Sequence, residues 1–102
     1  MSVPQIPKHR PATIIVAGKL TITPGLRDEF VRRSQAAVLL ARQNEACADF
    51  AVSADPSDPD RVNILEKWTS RQALEAFRSA GPEDDLFTLV AAFDVGEYEV
   101  GR

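Results

Sequence analysis

Residues 13–23, TIIVAGKLTIT, alternate and are rich in β-branched side chains, which predicts a strand. Ile14, Val16, Leu20 and Ile22 share one face, while Ile15 and Ala17 lie on the other among Thr and Lys. Both faces are partly apolar, so the strand is expected to be covered on both sides. Thr23-Pro24-Gly25 breaks it. Proline suits a first helical turn, and Asp28 and Glu29 suit a helix N-terminus. Phe30, Val31, Ser34, Ala37, Val38 and Ala41 then recur at helical spacing, predicting a helix to about Asn44. Residues 47–54 alternate again, with Ala48, Phe50, Val52 and Ala54 on one face. The turn signal Asp55-Pro56-Ser57-Asp58-Pro59-Asp60 separates them from a third strand over 61–68, so strands two and three form a hairpin. Thr69-Ser70-Arg71-Gln72 fits a capping box with Thr69 as the cap. It opens a second helix, Ser70 to Ala80, that buries Leu74 and Phe77 and stops at Gly81-Pro82. Glu83, Asp84 and Asp85 open a short third helix carrying Leu86, Leu89 and Val90. Residues 94–100 close the chain as a fourth strand.

The order strand, helix, strand, strand, helix, strand is the split βαβ pattern of an α+β, ferredoxin-like fold with an antiparallel four-stranded sheet. The helices cover one sheet face. Ile15, Ala17 and Leu65 on the other need a cover, and a second copy of the chain is the simplest. Pro4, Pro7 and Pro11 make residues 1–11 an extended arm. Residues 12–102 then form the single domain.

Composition narrows the function. The chain has 102 residues, 44% of them apolar and 26% charged, with a net charge of −3. That allows one core and offers no basic stripe for nucleic acid. No apolar run approaches a membrane span, and the N-terminus lacks the apolar centre of a signal peptide, so a cytoplasmic protein is expected. Cys47 is alone, which rules out an internal disulfide. With His9 distant from it in sequence, a tetrahedral metal set is not expected. The absence of a phosphate-cradling glycine loop, and of a second histidine for a Ser-His-Asp set, speaks against nucleotide cofactors and hydrolase chemistry.

The third strand carries the candidate chemistry. Val62, Ile64, Glu66 and Trp68 share a face, so Glu66 points to the apolar side and needs a partner or a raised pKa. It is a base or ligand anchor, or a structural ion pair or cap to a helix end. The structural reading is favoured, and on it Glu66→Gln should lower stability more than ligand binding. Trp68 is a pocket wall with an N–H for a ligand oxygen, or a core aromatic whose N–H finds a carbonyl. Asn63 is a polar pocket group able to donate to and accept from a quinone-like oxygen. It lies five residues from Trp68, so the two line one pocket only across a bulge. Phe30, Phe77 and Phe87 are core or an apolar lining. Arg71 and Arg78 are solvated, unless one binds a substrate anion or pairs with Glu66. Tyr98 reaches a pocket or an interface. Cys47 reads as a small buried hydrophobe.

Three stretches carry a resemblance to a known family. They are Ala17-Gly18-Lys19-Leu20-Thr21-Ile22-Thr23-Pro24-Gly25 before a helix with Phe30, Glu45-Ala46-Cys47-Ala48-Asp49-Phe50, and Asp58-Pro59-Asp60-Arg61-Val62-Asn63-Ile64-Leu65-Glu66-Lys67-Trp68 followed by Ser70 and Ala73-Leu74-Glu75-Ala76. In order and spacing the chain resembles the antibiotic biosynthesis monooxygenase (ABM) domains of the dimeric α+β barrel superfamily over about residues 12–100. The resemblance implies a homodimer joined through its sheet faces, with a pocket between helices and sheet in each subunit. It implies a monooxygenase that oxidises a small quinol- or anthrone-like aromatic molecule with O2 and no cofactor. In such relatives an Asn and a Trp on this strand hold the substrate, which points to Asn63 and Trp68. Many members carry a His where this chain has Phe77, so haem degradation is not implied. The alternatives are a non-catalytic binding dimer and an isomerase of a small polar metabolite.

Overall fold

The computed structural model describes residues 13–79 and 85–101. The expected arm at 1–11, the expected helix stop at Ala80-Gly81-Pro82, and Glu83 and Asp84 of the expected third helix lie outside them. The elements run β1 (Thr13–Ile22), α1 (Arg27–Arg42), β2 (Cys47–Ala54), β3 (Arg61–Trp68), α2 (Arg71–Ser79), a 3-10 turn (Leu86–Leu89) and β4 (Val90–Val100). The strands form one antiparallel sheet in the order β2-β3-β1-β4, the ferredoxin-like α+β arrangement. Among the described residues, no helix is long and apolar enough to cross a membrane.

Alternation along β1 sorts the sheet as the sequence predicts. Ile14, Val16, Leu20 and Ile22 are buried beneath the helices. The register Ile14 to Trp68, Val16 to Glu66, Gly18 to Ile64 and Leu20 to Val62 brings the matching residues of β3 to that side. Phe30, Ser34, Val38 and Ala41 of α1 and Leu74 of α2 close over them. The inward row of β1 has one gap, at Gly18. Ile14 and Val16 join one core cluster with Phe50, Trp68 and Leu74, while Leu20 and Ile22 join another with Phe30, Val62 and Leu86. At Gly18 the β4 backbone leaves no room for a side chain. A Cβ there would meet the Asp94 carbonyl and sit 2.7 Å from Val95 Cα, a spacing that only glycine allows.

Local details differ from the sequence reading at four places. The first helix opens at Arg27 rather than at Pro24, because Gly25 takes a φ of 87°, which no helix accommodates. It ends at Arg42, where the N–H groups of Gln43 and Asn44 bond back to Leu40 and Ala41. Ser70, not Thr69, caps α2: Ser70 Oγ accepts from the Ala73 N–H at 3.0 Å, while Thr69 bonds the Ala46 carbonyl. Val90 belongs to β4, not to a helix, since it pairs with Ile22, and β4 begins four residues before the expected Asp94.

The sheet face away from the helices carries Ile15, Ala17, Leu65, Tyr98 and Val100, interspersed with Lys19, Asn63, Lys67 and Asp94. Leu65, Tyr98 and Val100 are exposed in the single chain.

Candidate functional site

The two core clusters leave a pocket of about 350 Å³ between them. Its floor is Leu20, Val52, Ile64 and Glu66 of the sheet, and its walls are Phe30, Ser34 and Ala37 of α1 and Phe50 of β2. Phe77 and Arg78 of α2 and Leu86 and Phe87 of the 3-10 turn close the remaining side. The lining is mostly apolar with a few converging polar groups, the usual composition of a small-molecule site.

Glu66 is the central polar group. It stands between Val16 of β1 and Phe50 of β2, with apolar neighbours across both strands. Its Oε1 accepts a hydrogen bond of 2.9 Å from Trp68 Nε1. Two residues apart on one strand face is the spacing at which such a bond forms. Burial pushes the Glu66 carboxyl above its ordinary range. The Trp68 N–H and the nearby Arg78 charge pull it partly back, and Glu97 adds to the rise. The partner of Glu66 is thus an indole within its own strand, where a helix end was expected.

Trp68 is fully buried and does not line the pocket. It packs against Phe77 with ring centres 5.4 Å apart and meets Phe50 edge-on at 6.5 Å, and Phe50 meets Phe77 at 5.6 Å. Its N–H is taken by a carboxylate instead of a carbonyl or a ligand. Trp68 holds the Glu66 carboxyl in place, and Phe77 lines the cavity.

Phe30, Phe77, Phe87, Arg78 and Glu66 come together in the pocket. Asn63 and Tyr98 do not. Asn63 pairs with Lys19 on the opposite face, and β3 runs against β1 without interruption from Arg61 to Trp68, so no bulge brings Asn63 to Trp68's side. The irregularity falls in β2, between Cys47 and Asp49. The Asn63 amide donates to Asp55 Oδ1 at 2.9 Å and accepts from Arg61 Nε at 2.6 Å. That tie fixes the β2–β3 loop, and it holds the Asp55 carboxyl below its ordinary range. Tyr98 lies over Gly96 on the open face, beside a shallow depression with Lys19, Arg61 and Asp94. Cys47 is half-buried beside Trp68, its thiol pushed up by burial.

Sequence reasoning missed two parts of the site. Ser34 and Ile64 line the pocket but read as plain core. An ionic lattice crosses from α2 to β4: Arg71 reaches Glu97 at 3.0 Å and Glu99 at 3.3 Å, and Arg78 reaches Glu97 at 2.7 Å. Its signal was present, since Arg71 and Arg78 are two helical turns apart and Glu97 and Glu99 share a strand face. Among the described residues no group of His, Cys, Asp and Glu is placed to hold a metal ion.

Known proteins share this fold. The chain superposes on a candidate antibiotic biosynthesis monooxygenase from Deinococcus radiodurans with a TM-score of 0.73 at 25% identity, covering 87% of this chain and 93% of that one. A similar candidate from Chloroflexus aurantiacus gives 0.64 at 28% identity, covering 88% and 92%. Protein SO0527 of Shewanella oneidensis shares the fold, with a TM-score of 0.73 at 18% identity over 88% and 91%. An uncharacterised Synechocystis protein, sll1783, is 27% identical over 62 residues, which are 61% of this chain and 42% of that protein's length. The chain therefore spans less than half of that relative. The family model for antibiotic biosynthesis monooxygenases matches residues 13–82, from the first strand through the second helix. With the sheet order and the pocket between helices and sheet, that match places the chain in the antibiotic biosynthesis monooxygenase family.

Proposed function

We propose that the protein is a cofactor-independent monooxygenase that oxidises a small quinol- or anthrone-like aromatic molecule, with Glu66 as its base. One observation carries the reading: a carboxylate hydrogen-bonded to the Trp68 indole N–H in a mostly apolar pocket, with its pKa raised. A raised pKa makes a carboxylate a stronger base near neutral pH. Phe30, Phe77 and Phe87 offer flat apolar surface for aromatic rings, and exclusion of water protects a reactive carbanion.

The chemistry balances with O2 as the only co-reactant. Glu66 takes a proton from the acidic ring CH2 of an anthrone. The carbanion passes one electron to O2, and the resulting radical pair combines to a peroxide, which takes the proton back from Glu66. Loss of the remaining C–H proton with cleavage of the O–O bond leaves a carbonyl and releases water. Oxygen uptake by metal-free protein against a panel of anthrones and hydroquinones tests this. Uptake above the spontaneous rate is expected, rising with pH as Glu66 ionises and lost in Glu66→Gln. No uptake across the panel, or unchanged uptake in the variant, rejects the reading and leaves a ligand-binding protein without chemistry.

The active unit in this proposal is a homodimer joined through the open sheet face. Ile15, Ala17, Leu65, Tyr98 and Val100 supply the apolar surface that supports it.

A further inference from the structure

Arg78 and Glu66 line the same pocket, yet they are not ion-paired. The Arg78 guanidinium lies 2.7 Å from Glu97 Oε2, and Glu66 is bonded to Trp68. Opposite charges attract strongly beside an apolar cavity, so the preference of Arg78 for Glu97 needs a cause. The sheet provides it. Val16 of β1 is flanked by Glu66 on β3 and by Glu97 on β4, all on the helix side. Two strand spacings put the two carboxylates' backbones about 10 Å apart. Arg78 projects from α2 above this row. Glu97 is itself fixed, because Arg71, two turns earlier on α2, takes its other oxygen at 3.0 Å.

We propose that Glu97 is a positioning residue, which holds the Arg78 guanidinium at the pocket mouth and out of ion pairing with Glu66. Glu66 then stays a carboxyl without a cation partner, and Arg78 stands ready for the oxygen anion that deprotonation creates. The ligand that fits is an aromatic molecule with its acidic proton toward Glu66 and an ionisable oxygen toward Arg78. Its distal ring meets Phe87 of the pocket lining, which is exposed and packs on Phe93 with ring centres 6.2 Å apart. The proposal rests on the reading of Glu66 as the base.

Among the described residues, the groups that face Glu66 are few. α2 supplies Arg78, β4 supplies Glu97, β3 supplies the Trp68 indole and β2 supplies the Cys47 thiol. α1 adds the Ser34 hydroxyl, which donates to the Val31 carbonyl, and the 3-10 turn adds only Leu86 and Phe87.

The test is a carbon-13 NMR titration of the Glu66 carboxyl in the ligand-free protein, in wild type, Glu97→Gln, Arg78→Gln and the double variant. The Arg78 and Glu97 side chains are 45% and 35% exposed and belong to neither core cluster, so these changes leave the core intact. In Glu97→Gln the released Arg78 turns inward and the Glu66 midpoint falls. In the Arg78→Gln background the same change lowers it far less, because only the field of Glu97 is removed. Glu97→Asp, which retains a carboxylate, stays closer to wild type than Glu97→Gln does. No shift in Glu97→Gln, an upward one, or equal shifts in both backgrounds overturns the proposal. The titration needs no substrate, so a protein without oxygen uptake still passes or fails it separately.

Discussion

On the helix side of β3, Glu66 is walled in by Val16, Phe50 and Phe77 and has one hydrogen-bond donor, Trp68. On the open side, Asn63 is bonded to two charged partners, Asp55 and Arg61, next to solvent. Burial dominates the first carboxylate and raises its pKa, while hydrogen bonding dominates Asp55 and lowers it. The same strand thus places a buried carboxyl of raised pKa on one face and a satisfied structural tie on the other. Side-chain parity, not sequence proximity, decides which polar residue is available for chemistry.

Trp68→Ala gives the largest expected effect, because it removes the centre of the helix-side core. The side chain is fully buried against Phe50 and Phe77. The loss is expected at about 3–5 kcal/mol, read by urea unfolding. Trp68→Phe keeps most of the volume but strips Glu66 of its donor, so its cost falls below that of Trp68→Ala. A Trp68→Ala variant as stable as wild type breaks the claim that this face is the core.

The open face is tested next, by Leu65→Glu. Leu65 is 39% exposed and pairs with Ala17 and Ala51 across its two neighbouring strands. A charge there leaves the monomer folded by circular dichroism and halves the mass in sedimentation, if this face joins two copies. A wild-type protein that sediments as a monomer removes the dimer from the proposal.

Much of this contrast was legible in the sequence. Period-two alternation fixed β2 and β3 to their observed bounds and told Asn63 from Glu66 by parity. The start of β4 was not legible, because Val90-Ala91-Ala92-Phe93 suits a helix or a strand until Ile22 is known to lie beside it. The Trp68–Glu66 bond was half legible. Their shared face followed from spacing, but which donor reached the carboxylate depended on rotamers set by Phe50 and Phe77. The spacing of Arg71 and Arg78 and of Glu97 and Glu99 was legible, but their pairing was not, since only the sheet order brings the two elements together.

Glu66→Gln sharpens the comparison through pH. The folded pKa of Glu66 lies above its ordinary value of 4.5. Such a group contributes stability that is present below 4.5 and lost as pH rises through the folded pKa. Wild type should therefore lose stability relative to Glu66→Gln over that window, while the Gln oxygen still accepts from Trp68. The stability loss that a structural anchor would predict is not expected at neutral pH. Melting temperatures from acid to neutral pH check this. A variant less stable than wild type at neutral pH returns Glu66 to a purely structural role.

Asn63→Ala gives the smallest effect and isolates the open face. It removes the largest cause of the lowered Asp55 pKa. A lowered carboxyl pKa stabilises the fold above the ordinary value of 3.8, and that contribution is lost as pH falls through the folded value. The gap in melting temperature between wild type and Asn63→Ala should be small at neutral pH and close in acid, the reverse of the Glu66→Gln trend. Asp55 and its partner Arg61 keep 16% and 40% of their side chains exposed, so salt should shrink the gap too. Ligand binding and oxygen uptake should stay at wild-type levels, because no atom of Asn63 lines the pocket. Loss of uptake in this variant with the fold intact would mean that the open face reaches the substrate, and a pocket completed across the sheet by a second copy would replace the one between helices and sheet.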